Sequence, residues 1–261
     1  QCVQVEGEDK VRFANRWDKH LQWARRTGGG IHPVPFVMLR RNVYLHRKYV
    51  KLRPGDVQKC QCRMRSKGKD GKVPQGCREE TCVLRQTFVE CTPGICPCGD
   101  ACTNQRFQKQ HYAAVECKKT PDKRGWGLYA KEPIRKGEFV VEYMGEVVNK
   151  KMYEKRKKEY ACEHNTYFMQ LSNQPFEMID ASRKSSMGRF LNHSCDPNCE
   201  TQRWRSLGEP VVGIFAKKDI AAGDELVFDY QMDDGAAKRK CRCKAEKCRG
   251  VLGKKDDESE E

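Results

Sequence analysis

Cysteine spacing constrains this chain more than any other feature. Cys60-x-Cys62 is followed by Cys77-x4-Cys82, Cys91-x4-Cys96 and Cys102, and a second group, Cys241-x-Cys243-x4-Cys248, lies near the C-terminus. From Cys60 to Cys117 the sequence is poor in apolar runs, so it cannot build an ordinary core and metal must substitute for one. Thiolates one to four residues apart can reach a single tetrahedral ion, and interleaved pairs can share a bridging sulfur. The seven thiols of the first group can therefore close two Zn²⁺ sites. A set of buried free thiols is the alternative, and the scarcity of apolar neighbours argues against it. Cys98 and Cys117 are surplus to this count.

The second group supplies three ligands where a closed structural site takes four. Cys195, in a remote stretch, is the best fourth ligand, and it would clasp the C-terminal segment over its own loop. Three zinc ions are therefore expected. Sixteen cysteines without a secretory signal point to thiolate sites in a reducing compartment rather than to disulfides. No stretch has the apolar length of a signal core or a membrane span, so the expectation is a soluble, intracellular protein with no membrane partner. A start at Gln1 rather than methionine reads as a fragment. The formal charge is +15, and eleven thiolates on three Zn²⁺ would lower it to about +10. A surface so basic suggests an anionic partner, most simply nucleic acid.

Phe13, Trp17 and Leu21 recur every four residues until TGGG (27–30), which reads as one amphipathic helix. PFVMLRRNVYLHRKYVKL reads as one or two basic strands. After GWGLYA (125–130) come β-type runs, EFVVEYMGEVV, TYFMQLS, FEMIDAS, VVGIFA and ELVFDY, with one helical stretch, NKKMYEKRKKEYACEH. The fold class is mostly β with a few helices. RFLNHSCDPNCETQRW (189–204) reads as neither helix nor strand, yet it crowds in polar and thiol groups that a buried loop would have to satisfy. Binding or reaction is expected there.

RFLNHSCDPNC, GWG (125–127), EYMGE (142–146) and ELVFDY (225–230) together resemble a SET domain. The cysteine array before them resembles an AWS module, and CRCKAEKCRG a post-SET segment. The order of modules is similar to that of the Ash-type, NSD-type and Set-type methyltransferases of histone H3 lysine 36, and CTPGICPCGDACTNQRF and PNCETQRW lean towards the Ash-type branch. On this resemblance residues 1–34 form a helical extension, 35–59 a basic strand segment, 60–110 the AWS module and 111–231 the SET domain. Residues 232–253 form the post-SET linker and zinc module, and 254–261 an acidic tail. The implied fold is a set of small β-sheets with a pseudoknot, in which the N-H-S-C strand passes under the D-Y segment.

The resemblance implies S-adenosylmethionine held by Arg124, Gly125, Trp126, Asn165, Thr166, Tyr167, Arg189, Asn192 and His193, with Arg242 and Leu252 closing over the adenine. Ser185 and Ser186 stand where relatives usually have Gly-Asn, and Thr166 where an aromatic residue or histidine is common. A lysine amine is protonated near neutrality, with a reference pKa of about 10.4, so methyl transfer needs a site that favours the neutral amine. A narrow aromatic channel does this by desolvation. Tyr143, Phe228 and Tyr230 would line it, with the Tyr230 hydroxyl orienting amine and methyl. The implied activity is mono- and dimethylation of histone H3 lysine 36 in nucleosomes, with trimethylation left open. It would be carried out in the nucleus by a monomeric catalytic fragment, with nucleosomal DNA on the basic face and the 231–240 linker gating the groove. A catalytically weak, zinc-stapled chromatin-binding module is the alternative.

Overall fold

The computed structural model describes residues 36–50, 52–63, 75–122, 124–160, 167–231 and 240–252. The helix expected around Phe13, Trp17 and Leu21, the greater part of the 231–240 linker, Asn165, Thr166 and the acidic tail lie outside the described residues.

The architecture is mostly β, with short strands in four sheets among the described residues. The basic N-terminal segment supplies two strands of two residues each, β1 (Val37–Met38) and β2 (Val43–Tyr44). EFVVEYMGEVV is two strands rather than one run, β5 (Phe139–Tyr143) and β6 (Glu146–Asn149), which follow β3 (Val115–Lys119) and β4 (Trp126–Ala130). The chain turns at Gly145, where any Cβ would collide with the Asp180 carbonyl. β2 pairs parallel to β6 and extends a sheet of order β2-β6-β8-β7, where β7 is Phe168–Asn173 and β8 is Phe176–Asp180. β1 instead runs parallel to β9 (Lys184–Ser185). The basic segment is thus bound along the domain rather than folded on itself.

Half of the 189–204 stretch departs from its reading as neither helix nor strand. It begins in a 3-10 helix (Met187–Phe190), passes through β10 (Asn192–His193), and from Cys199 becomes β11 (Cys199–Ser206). β11 forms a hairpin with β12 (Glu209–Ala216), which also pairs with β5. Exposed polar residues such as Thr201 and Arg203 hid this strand, since only Cys199, Trp204 and Ser206 on it are buried. β10 runs parallel to β13 (Glu225–Phe228), with Asn192 opposite Val227 and His193 opposite Phe228. That pairing, completed by β4 and β3 in one sheet, brings the N-H-S-C and D-Y segments into contact.

The helical stretch is shorter than its sequence run: α1, the AWS turn Val83–Gln86, precedes α2, Lys150–Glu159. The Asn149 side chain caps α2 by accepting from the Met152 N–H at 3.0 Å, and Arg156, Lys157 and Lys158 complement the dipole in its last turn.

Apolar packing is concentrated in the β-rich part of the chain. Tyr143, Val147, Leu171, Ile179, Ala181 and Val212 form one buried group, and Phe107, Phe139, Trp204, Val211 and Phe215 another. Arg47 joins the N-terminal segment to this core: its guanidinium bonds Glu177 at 2.6 Å and Glu209 at 2.7 Å, carboxylates that are almost completely buried. Buried carboxylates without such a partner would be strongly destabilising.

Candidate metal centres and active site

Six of the seven thiols expected to hold two zinc ions fall into two groups whose sulfurs lie within 4.8 Å of one another, Cys60-Cys62-Cys77-Cys82 and Cys60-Cys77-Cys91-Cys96. Their S···S separations include 3.7 Å for Cys60–Cys77, 3.5 Å for Cys77–Cys96 and 3.9 Å for Cys82–Cys91. A tetrahedron with Zn–S near 2.3 Å has edges of about 3.8 Å, so the donor sets fit Zn²⁺ in both size and chemistry. The seventh thiol, Cys102, hydrogen-bonds with Cys91, Cys96 and Cys77, led by Cys91, and these bonds hold it well below the usual thiol value, at about 5. Seven sulfurs complete two tetrahedra when one is shared. Cys60 and Cys77 both belong to the two groups, and of these Cys77 contacts Cys102 as well, so it is placed for that role; it also adopts φ 54°. Cys98 is fully buried against Gly76 and joins neither group.

The third group is Cys195-Cys241-Cys243-Cys248, which unites the remote thiol with the C-terminal triplet. Cys195 Sγ lies 3.8 Å from Cys241 Sγ and 4.0 Å from Cys248 Sγ. Backbone N–H groups are aimed at the sulfurs: Arg249 at Cys195, Cys195 at Cys243, Cys243 at Cys241 and Gly250 at Cys248, all at 3.4–3.5 Å. Such donors suit thiolates held on a cation.

Around the β10–β13 pair several of the described residues expected to bind cofactor and line the channel come together. Tyr230 is fixed at both ends. Its hydroxyl donates to the Leu191 carbonyl at 2.9 Å, and its backbone N–H donates to His193 Nδ1 at 3.2 Å. Nδ1 being the acceptor, the ring proton sits on Nε2, which faces Cys195 Sγ at 3.4 Å. Burial pushes the Tyr230 phenol far above its ordinary range and the His193 imidazole below its own, so both are neutral near pH 7. The Tyr230 ring lies 4.8 Å from Phe228 and 5.3 Å from His193. Tyr143 is buried nearby, its hydroxyl donating to the Tyr167 carbonyl at 3.2 Å and its phenol likewise raised by burial.

On the other side of β13, Gly125 adopts φ 103° with open space where a Cβ would stand, and the buried Trp126 Nε1–H has no acceptor. An open left-handed backbone beside an unanswered donor fits a polar small molecule such as S-adenosylmethionine. Asn192 spends its amide on the Trp126 carbonyl at 3.1 Å and Glu225 at 2.8 Å. The Arg124 guanidinium is committed to Asp122 and Glu225, both at 2.6 Å, so this residue offers a ligand its backbone rather than its charge. Arg189 is buried between the Phe36 and Tyr167 rings, at 4.5 and 4.4 Å from their centroids. Arg242 is exposed, and Leu252 is half-buried next to the Lys240–Val251 bridge. Ser185 and Ser186 tie this region to the β5–β6 turn: Ser185 Oγ donates to the Met144 carbonyl at 3.1 Å, and Ser186 Oγ accepts from the Met144 N–H at 3.3 Å.

Sequence reasoning missed Glu225, which holds both Arg124 and Asn192, and Asp229, which accepts both guanidinium nitrogens of Arg249 at 2.7 and 2.8 Å. Both lie inside ELVFDY, where they read only as strand-end carboxylates.

Comparison with known proteins identifies this arrangement. The AWS domain model matches residues 72–110 and the SET domain model residues 125–231, so the protein is a SET-domain protein with an AWS module ahead of it. More particularly, the chain belongs to the AWS–SET family of histone-lysine methyltransferases. It is 41% identical over 92% of its length to histone-lysine N-methyltransferase ASHH2 of Arabidopsis thaliana and 41% identical over 89% to histone-lysine N-methyltransferase SETD2 of Homo sapiens. It is also 42% identical over 76% to the human histone-lysine N-methyltransferase specific for H3 lysine-36. It spans 13%, 9% and 7% of those relatives' lengths. A chain of ctPRC2, solved in an autoinhibited conformation bound to S-adenosylmethionine, superposes with a TM-score of 0.53 at 30% identity, covering 57% of this chain and 21% of that one.

Proposed function

We propose that the chain transfers methyl groups from S-adenosylmethionine to lysine 36 of histone H3 in nucleosomes, in the nucleus, making mono- and dimethyl-lysine. The observation that carries this reading is the state of Tyr230. Its O–H is spent on the Leu191 carbonyl, so its lone pairs are what it can present to a substrate, and its neutral phenol cannot serve as a base. A fixed acceptor at the end of an aromatic wall orients an amine N–H and a polarised methyl, and most of the rate comes from that alignment. When bound, S-adenosylmethionine supplies the electrophilic methyl on its sulfonium. The chain's part is to desolvate the lysine between Tyr143, Phe228 and Tyr230, which favours the neutral amine. Gly125, Trp126, Tyr167, Arg189, Asn192 and His193 would hold the cofactor, joined by Arg124 through its backbone and by Asn165, Thr166, Arg242 and Leu252.

The relatives named for H3 lysine-36 support the choice of substrate. β7 is the edge of its sheet and begins next to Tyr167, which suits an extended histone tail added as a further strand. α2 buries none of its side chains and exposes Lys150, Lys151, Lys155 and Lys158, a face suited to nucleosomal DNA.

The test is methyl transfer to reconstituted nucleosomes and to free H3, read by mass spectrometry of the histone. Wild type is expected to give mono- and dimethyl-lysine 36, with nucleosomes preferred and the preference falling as salt rises. Tyr230→Phe should lower the rate by about 100-fold or more. Phe228→Tyr should shift the product towards monomethyl-lysine, because the added hydroxyl takes the room of a second methyl and must find a partner. Nucleosome binding without any transfer would establish the chromatin-binding module instead.

A further inference from the structure

The pair Arg249–Asp229 lies outside the cofactor, channel and metal residues named above, yet it joins them. The Arg249 guanidinium grips Asp229 with Nη1 at 2.8 Å and Nη2 at 2.7 Å, while its backbone N–H donates to Cys195 Sγ at 3.4 Å. Asp229 stands between Phe228 and Tyr230 in the chain, accepts from the Gln231 N–H at 3.1 Å and lies 3.6 Å from His193 Nδ1. His193 closes the circuit, contacting the Tyr230 N–H through one ring nitrogen and Cys195 Sγ through the other. A ring of contacts therefore runs from Cys195 through Arg249, Asp229, Tyr230 and His193 back to Cys195.

We propose that the Arg249–Asp229 pair is a positioning latch through which closure of the C-terminal cysteine site sets the place of the Tyr230 hydroxyl. The proposal rests on the methyltransferase reading given above. A planar guanidinium holding both carboxylate oxygens fixes the rotation of Asp229, which a single ammonium bond cannot do. Fixing Asp229 fixes the backbone on either side of it, and with it the Phe228 and Tyr230 rings. The pair is partly exposed, its side chains 33% and 20% accessible, so its contribution to stability is small and its effect is geometric. Neither residue is a metal ligand, which allows the latch to be opened with the metal in place.

Arg249→Lys, Arg249→Ala and Asp229→Asn in the full chain test this. Zinc content by elemental analysis should match wild type, and the cofactor KM should stay within about twofold. The kcat should fall about 10- to 100-fold, the size expected when a reacting group is slightly misplaced. Arg249→Lys should lie nearer to Arg249→Ala than to wild type. Amide exchange at Tyr230 and Gln231, a readout independent of activity, should quicken in all three variants while exchange in β5 and β12 does not change. Wild-type kcat and wild-type exchange in Arg249→Ala would overturn the latch, as would loss of the third zinc from all three variants, which would make the pair a support of the metal site alone. If wild type itself transfers no methyl, the enzyme reading fails, and the exchange measurement still decides whether Arg249 holds the Tyr230 backbone.

Discussion

The AWS module and the SET region are built on opposite principles. In the module the buried group consists of seven cysteines and Leu84, with Val89 and Cys62 packed against it. In the SET region it consists of aliphatic and aromatic side chains from two sheets, such as Val147, Ile179, Val212, Phe139 and Phe215. Packing in the second is spread over many contacts, so the loss of any one is partial. Packing in the first is concentrated in a few sulfurs around cations, so loss is nearly all-or-none. The two meet at Glu90, which accepts from the Ser206 hydroxyl at 2.8 Å, and at Arg106, whose guanidinium lies 4.8 Å from the Trp204 ring.

The contrast is broken most severely at Cys77. Cys77→Ser removes the sulfur placed to serve both tetrahedra, and zinc should fall from about three per chain to about one, since seven ligands cannot hold two ions without a shared one. Amide exchange should then show the module open with the SET sheets protected. Retention of three ions would mean that Cys77 is not shared.

A core substitution in the SET region should behave differently. Ile214→Ala, at a side chain with no exposed surface, should cost about 2–5 kcal/mol in denaturant unfolding and leave all zinc in place. Zinc loss accompanying it would show that the two regions unfold as one unit.

The smallest effect sharpens the comparison through pH. Glu142 is buried on β5, and burial together with nearby Glu90 pushes its carboxyl up to about 8. A carboxyl raised in the fold contributes stability that is fully present below its unfolded value and is lost as pH rises through about 8. Glu142→Gln stays neutral throughout, so its melting temperature relative to wild type should rise by about 4–8 °C between pH 6.5 and pH 9 in zinc-containing buffer. A constant difference would show that Glu142 is ionised at both values.

Much of this was legible in the sequence, and the reasons differ by element. The cysteine groups could be read because ligand identity and spacing are both local, and even remote Cys195 could be named by counting ligands. Tyr230, Asn192 and His193 were named through short motifs, and the structure brings them together at the β10–β13 pair. Arg47 with Glu177 and Glu209, Glu225 with Arg124, and Arg249 with Asp229 could not be read, because each pair joins charges many residues apart and an isolated charge looks the same whether paired or solvated. β11 was hidden for a related reason: most of it is exposed, and its buried positions are Cys199, Trp204 and Ser206 rather than a run of aliphatic residues. The β5–β6 break was missed because its cause, the Asp180 carbonyl beside Gly145, comes from a distant strand.

The parallel pairing of β10 with β13 also orders events during the making of the protein. Parallel neighbours cannot be joined by a tight turn, and here the β11–β12 hairpin lies between them. As a ribosome extends the chain from its N-terminus, the AWS cysteines and the β5–β8 strands emerge before Val227 and Phe228 exist to receive Asn192 and His193. Contacts of such long sequence separation form late. The cysteines from Cys241 to Cys248 emerge later still, so Tyr230 acquires its surroundings only once they have left the ribosome and metal is at hand. A nascent or truncated chain ending before Cys241 would carry folded sheets and an inert centre, which makes the supply of zinc to these last ligands of the site the step that separates a folded region from a working one.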